Sequence, residues 1–198
     1  MNFGLFFKTG WEHIIDINAF DHLLFVMTLC AAFKINQWKQ ILIIITAFTI
    51  GHCATLVLSV FDFVPSNAKI IDALIPFTIM ITAISNVVYY EKQVNSTTKI
   101  NYKYIIALIF GLIHGLVFAS NFKVMMMKGK SILMPLFAFN IGIEMGQIVI
   151  VGCFLMALYI YQEKIKGNHF TWNVFISGAG FGIAMTILLK ALVGEGAE

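Results

Sequence analysis

Arginine is absent from this chain, and charge of either sign is scarce: only 12% of the 198 residues are charged, against roughly 25% in a typical soluble domain. So few polar side chains cannot cover a water-facing surface. The solvent for most of the chain is therefore lipid, which excludes the soluble folds. The 13 basic residues, all lysine, exceed the 10 acidic ones by three. That excess is small and dispersed among apolar runs, so nothing resembles the basic stripe of a nucleic-acid-binding protein. The three cysteines, Cys30, Cys53 and Cys153, fall on separate apolar runs in an odd number, which speaks for packing rather than for disulfides or a thiolate metal site. Strict apolar/polar alternation is missing as well, and with it the signature of a transmembrane β-barrel. What is present is 60% hydrophobic residues in continuous runs, the pattern of an all-α, polytopic membrane helix bundle.

Six runs read as spans: about 19–33, 41–60, 70–90, 105–120, 132–161 and 174–193. Most approach the roughly 20 residues that cross a bilayer as helix. The polar breaks between them are too short for a second domain, so residues 1–198 are expected to form a single membrane domain. Ahead of the first span, Phe3, Leu5, Phe6, Phe7 and Trp11 mix with Lys8, Glu12, His13 and Asp16. Over residues 1–18 this predicts a short interfacial or re-entrant helix. No basic residue precedes its apolar stretch and no small-residue cleavage site follows, so it is not expected to be a signal peptide. Gly178 and Gly182 give the last span a spacing suited to close helix packing. The expected setting is an integral protein of the bacterial inner (cytoplasmic) membrane. Lysines divide almost evenly between the two faces and orient the chain weakly, toward both termini outside. Homo-oligomerisation is compatible with such a bundle.

Ionisable groups inside spans cost at least about 2.5 kcal/mol each on insertion scales, so each needs a partner or a purpose. Asp21 and His22 open the first span, with His13 just before it. His52 lies in the second, among Thr49, Thr55 and Ser59 on one helical face. His114 lies in the fourth, and Asn140, Glu144 and Gln147 form a polar stripe in the fifth. Depth relates them. Because spans alternate direction, the second and fourth end on the face where the first and fifth begin. His52, His114 and Asn140 then all sit about 10–12 Å below that face at 1.5 Å per residue, with Glu144 a turn deeper. Asp21, His22, His52, His114 and Glu144 are thus expected to converge in one half of the membrane. His169 falls in a polar loop on the opposite face.

Neutral imidazoles with one or two carboxylates suit borderline divalent ions such as Ni²⁺, Zn²⁺, Co²⁺ or Fe²⁺, whereas Mg²⁺ and Ca²⁺ prefer all-oxygen cages. The candidate metal ligands are His13, Asp21, His22, His52, His114 and Glu144, with Thr55, Asn140, Gln147 and Asn86 as surrounding donors and acceptors that orient them. Thr78, Thr82 and Ser85 in the third span read as helix-to-helix hydrogen-bonders.

The motifs carrying these residues resemble a known family. His13, then Asp21-His22-Leu23-Leu24-Phe25, then Thr46-Ala47-Phe48-Thr49-Ile50-Gly51-His52, then Phe110-Gly111-Leu112-Ile113-His114-Gly115, and finally Phe139-Asn140-Ile141-Gly142-Ile143-Glu144 with Gly146-Gln147 look like the HupE/UreJ membrane proteins. These are hydrogenase and urease accessory proteins regarded as nickel permeases. By position the resemblance implies that His13, Asp21, His22, His114 and Glu144 serve nickel uptake, and His52 matches a motif of the family's broader branch. The expected function is a permease or binding protein for a divalent transition metal, Ni²⁺ foremost. The alternative is an intramembrane Zn²⁺-dependent hydrolase built on the same histidines and carboxylates. A proton-coupled or purely structural accessory subunit is a third reading. The partners implied are the metal ion and the lipid bilayer, with no nucleic acid.

Overall fold

The computed structural model describes residues 2–16, 21–63, 68–90, 101–126 and 132–193. All regular structure among them is helical: α1 (Phe3–Ile15), α2 (Asp21–Cys30), a 3₁₀ turn (Ile35–Gln37), α3 (Trp38–Val60), α4 (Ala68–Val88), α5 (Asn101–Met126), α6 (Leu133–Lys164) and α7 (His169–Val193). The helices α3 to α7 are long and apolar enough to cross a membrane. Exposed Ile43, Ile50, Ile84, Met156, Phe175 and Leu189 line their outer faces, as lipid-facing side chains should. The protein is an integral membrane helix bundle. Residue 19, where the first span was expected to begin, and residues 64–67, 91–100 and 127–131 lie outside the described residues.

The first expected span differs most from expectation. Its helix is the ten-residue α2, about 15 Å long at 1.5 Å per residue and so half the thickness of a hydrocarbon core. Its buried residues, His22, Phe25, Val26, Thr28 and Cys30, point to several sides of the helix, because α2 sits among α4, α6 and α7. The preceding α1 is capped by Asn2, whose side chain accepts from the Gly4 N–H at 3.1 Å. It buries Phe6, Gly10 and Ile14 on one stripe and turns Lys8 and Glu12 outward as an exposed pair. It lies alongside the first half of α6, so it belongs to the bundle.

Two crossings are made by glycine. A β-carbon on Gly51 of α3 would stand 2.0 Å from the Leu108 carbonyl oxygen of α5, and one on Gly111 would stand 2.0 Å from the Phe48 carbonyl oxygen. Only hydrogen at both positions lets the two backbones meet at this separation. The same device joins α1 to α6, through Gly10 against the Phe139 carbonyl and Gly142 against the Phe7 carbonyl. In α7 the expected contact is displaced: Gly178 and Gly182 have nothing within 4 Å, while Gly180 meets the Thr28 hydroxyl of α2. Spacing identified the small-residue helix but not which of its faces turns inward.

A polar lock fixes α2, α4 and α7 together. Asn86 donates from Nδ2 to the Thr28 carbonyl at 2.6 Å and to Ser177 Oγ at 3.2 Å, and Asn173 donates to the Asn86 carbonyl at 2.9 Å. His169, expected in a polar loop, instead begins α7 and is buried. It donates from Nε2 to the Phe33 carbonyl at 3.0 Å, which leaves Nδ1 to accept from the Tyr90 hydroxyl at 2.8 Å.

Candidate metal centre

Four helices deliver imidazoles to one place. His13 comes from the last turn of α1, His22 from the first turn of α2, and His52 and His114 from the interiors of α3 and α5. The glycines explain the convergence: Gly51 precedes His52 and Gly115 follows His114, so the residues that close the α3–α5 crossing sit beside the histidines that use it. Likewise the Gly10 and Gly142 contacts seat α1 deeply enough to bring His13 in. Ring centroids of His13 and His22 are 4.6 Å apart, His13 and His52 5.5 Å, His22 and His52 5.8 Å, and His22 and His114 5.3 Å.

His13, His22 and His52 each offer one ligand atom, and these atoms all lie within 4.8 Å of one another. Nitrogens bound at about 2.1 Å to one ion stand at most about 4 Å apart, so small side-chain movements would complete the coordination. Their hydrogen bonding points the same way. Nε2 of His13, Nε2 of His22 and both nitrogens of His52 are buried with no protein partner. Leaving such a group unsatisfied costs about 1–3 kcal/mol. His169, whose two nitrogens are both bonded, is what a structural histidine in this bundle looks like.

Asp21 and His114 complete the cluster in different ways. Asp21 Oδ1 receives the His22 backbone N–H at 2.9 Å and faces His22 Nδ1 at 3.1 Å. A carboxylate on Nδ1 keeps the proton there and presents Nε2 as a lone pair, the usual carboxylate–histidine–metal arrangement. His114 is wholly buried and holds Thr78 Oγ1 at 3.0 Å through Nε2, while its Nδ1 has no partner. Apolar walls flank the site. Phe118 and Phe139 stack at 5.0 Å beside His13 and His52, and Phe25 and Phe48 stack at 4.9 Å beside His114. Half-buried His13 and Asp21 form the rim, and buried His22, His52 and His114 the interior.

The remaining predicted residues are held elsewhere. Glu144 accepts from Thr46 Oγ1 at 2.5 Å, six residues from His52 along α3 and so about 9 Å from its level. Gln147 pairs with Thr49 at 2.9 Å. Asn140 donates to Cys53 Sγ and to the Leu136 carbonyl, both at 2.8 Å, which places it next to His52 in sequence level but not on its ring. Thr55 donates to the Leu112 carbonyl at 2.8 Å across the α3–α5 crossing, and Asn86 belongs to the α2–α4–α7 lock. The phenylalanine walls and the Thr46 partner were not singled out as site residues by the sequence, whereas Thr78, read there as a helix-to-helix hydrogen-bonder, joins α4 to His114 of α5. The nearest signal was adjacency, since Phe139 precedes Asn140 and Phe48 lies one turn from His52.

Comparison with curated proteins and with solved structures finds no match. The family model described as HupE / UreJ protein matches residues 1–193, and this span contains every residue of the cluster. With nearly the whole chain matched, the protein belongs to the HupE/UreJ family.

Proposed function

We propose that the protein is a permease of the bacterial inner membrane for a divalent transition metal, with Ni²⁺ as cargo, and that His13, His22 and His52 bind the ion. The observation that carries this reading is the set of buried, unpartnered imidazole nitrogens from three different helices within ligand distance of one another. Imidazole donors select borderline ions over Mg²⁺ or Ca²⁺, and neutral ligands without a thiolate hold such an ion loosely enough for release.

The ion enters at the rim, where His13 and Asp21 are accessible, and passes to His22 and His52. Asp21 acts through His22, holding the proton on Nδ1, and its negative charge offsets part of the cost of a dication in a low dielectric. Glu144, bonded to Thr46 on the other side of the midpoint of α3 from His52, serves passage of the ion rather than its capture. The rim is assigned to the outer face, with both termini outside. The hydrolase alternative needs a carboxylate as base beside the metal-bound water. Asp21 is engaged with His22 and Glu144 with Thr46, which favours the permease.

Radioactive Ni²⁺ accumulation in cells expressing the protein tests the reading. Uptake above the empty-vector level that is abolished by His52→Ala supports it; uptake that His52→Ala leaves intact overturns it.

A further inference from the structure

We propose that Thr78 is a positioning residue that fixes the tautomer of His114, so that Nδ1 is held as a lone-pair donor in the imidazole cluster; its bearing on transport rests on the metal reading above. The hydrogen count carries the argument. A threonine hydroxyl has one hydrogen to give. Thr78 Oγ1 lies 2.7 Å from the Ile75 carbonyl, which can only accept, so the hydrogen is spent there. The contact to His114 Nε2 at 3.0 Å is then one in which Thr78 Oγ1 accepts, and Nε2 must carry the ring proton.

The consequence falls on the other nitrogen. With the proton on Nε2, Nδ1 is a bare acceptor, buried and without a protein partner, on a ring walled by His22, Phe25 and Phe48. A cation or the N–H of a neighbouring imidazole would satisfy it; an apolar wall would not. Thr78 thus does for His114 what Asp21 does for His22: each holds a proton on the outer nitrogen and leaves the inner one open.

The ring tautomer is read directly by two-bond ¹⁵N–¹H correlation spectra of the full-length, metal-free protein with ¹⁵N-labelled histidine, His114 being assigned by the signal lost in His114→Gln. The expected result is a proton on Nε2 in the native protein and in Thr78→Ser, and loss of that single tautomer in Thr78→Val. A proton on Nδ1 in the native protein overturns the proposal, and so does a Thr78→Val spectrum identical to the native one. The native spectrum decides the matter even if Thr78→Val does not fold. Ni²⁺ titration of the same samples reads the consequence: Thr78→Val weakens binding about 10- to 100-fold, as for loss of an orienting partner, and Thr78→Ser restores it. Native affinity in Thr78→Val overturns the bearing of this positioning on metal binding. A native protein with the expected tautomer but no Ni²⁺ binding contradicts the metal reading while the positioning by Thr78 stands.

Discussion

A β-carbon on Gly142 would stand 2.2 Å from the carbonyl oxygen of Phe7. The neighbour is backbone and cannot rotate away, so Gly142→Ala must push α1 off α6, at about 1–3 kcal/mol for an overpacked contact. Because α1 carries His13, the substitution also withdraws one imidazole. Expected is a lower unfolding temperature in detergent together with Ni²⁺ affinity reduced about tenfold or more. Gly152→Ala, on the same helix with nothing within 4 Å, should change neither.

Under the proposed reading, Asp21 acts through His22 rather than as a ligand of the ion. An amide at this position still offers a carbonyl to the Nδ1–H, whereas alanine offers nothing. Asp21→Ala is therefore expected to weaken Ni²⁺ binding about 10- to 100-fold, and Asp21→Asn to retain most of it. Calorimetric titration of both variants checks the order; equal losses would show that the charge or direct ligation matters instead.

Under the proposed reading, Glu144 separates capture from passage. Its carboxylate is engaged by Thr46, away from the three clustered histidines, so Glu144→Gln is expected to bind Ni²⁺ with native stoichiometry while cellular accumulation falls. A variant that loses binding and uptake together would put Glu144 among the first ligands.

Asn86 serves stability. Replacing it with leucine removes its hydrogen bonds to the Thr28 carbonyl and to Ser177 Oγ, at a cost of about 1–3 kcal/mol for the two. The unfolding temperature should drop with Ni²⁺ stoichiometry unchanged, measured on the same preparation.

Much of the centre was legible because one physical rule selects it: imidazoles and carboxylates are costly in lipid, so those at matching depth belong together. Depth arithmetic on a straight helix placed His52 and His114 in the same layer, and the glycines beside them are what let that layer close. Glu144 shows the limit of the arithmetic. Its level along α6 follows from counting, but its direction depends on how the helix is turned, and that turn is set by Gly142 and Gly146 packing on α1. Gly178 and Gly182 failed for the same reason: a three-residue gap marks a face, and only the partner helix, here α2 at Thr28, decides that Gly180 is the one that faces inward. The ten-residue α2 was hidden because an apolar run of sufficient length reads as one span, whereas burial on several sides by its neighbours relieves a short helix of the need to reach across.

The central claim, that nitrogens of His13, His22 and His52 bind one ion, is tested most directly by X-ray absorption at the nickel edge of purified protein carrying one Ni²⁺ per chain. The account predicts a first shell containing imidazole nitrogens, with the outer-ring scattering that histidine ligands produce, diminished in His13→Ala and lost in His52→Ala. A shell made only of oxygen, or a spectrum indifferent to both substitutions, would contradict it.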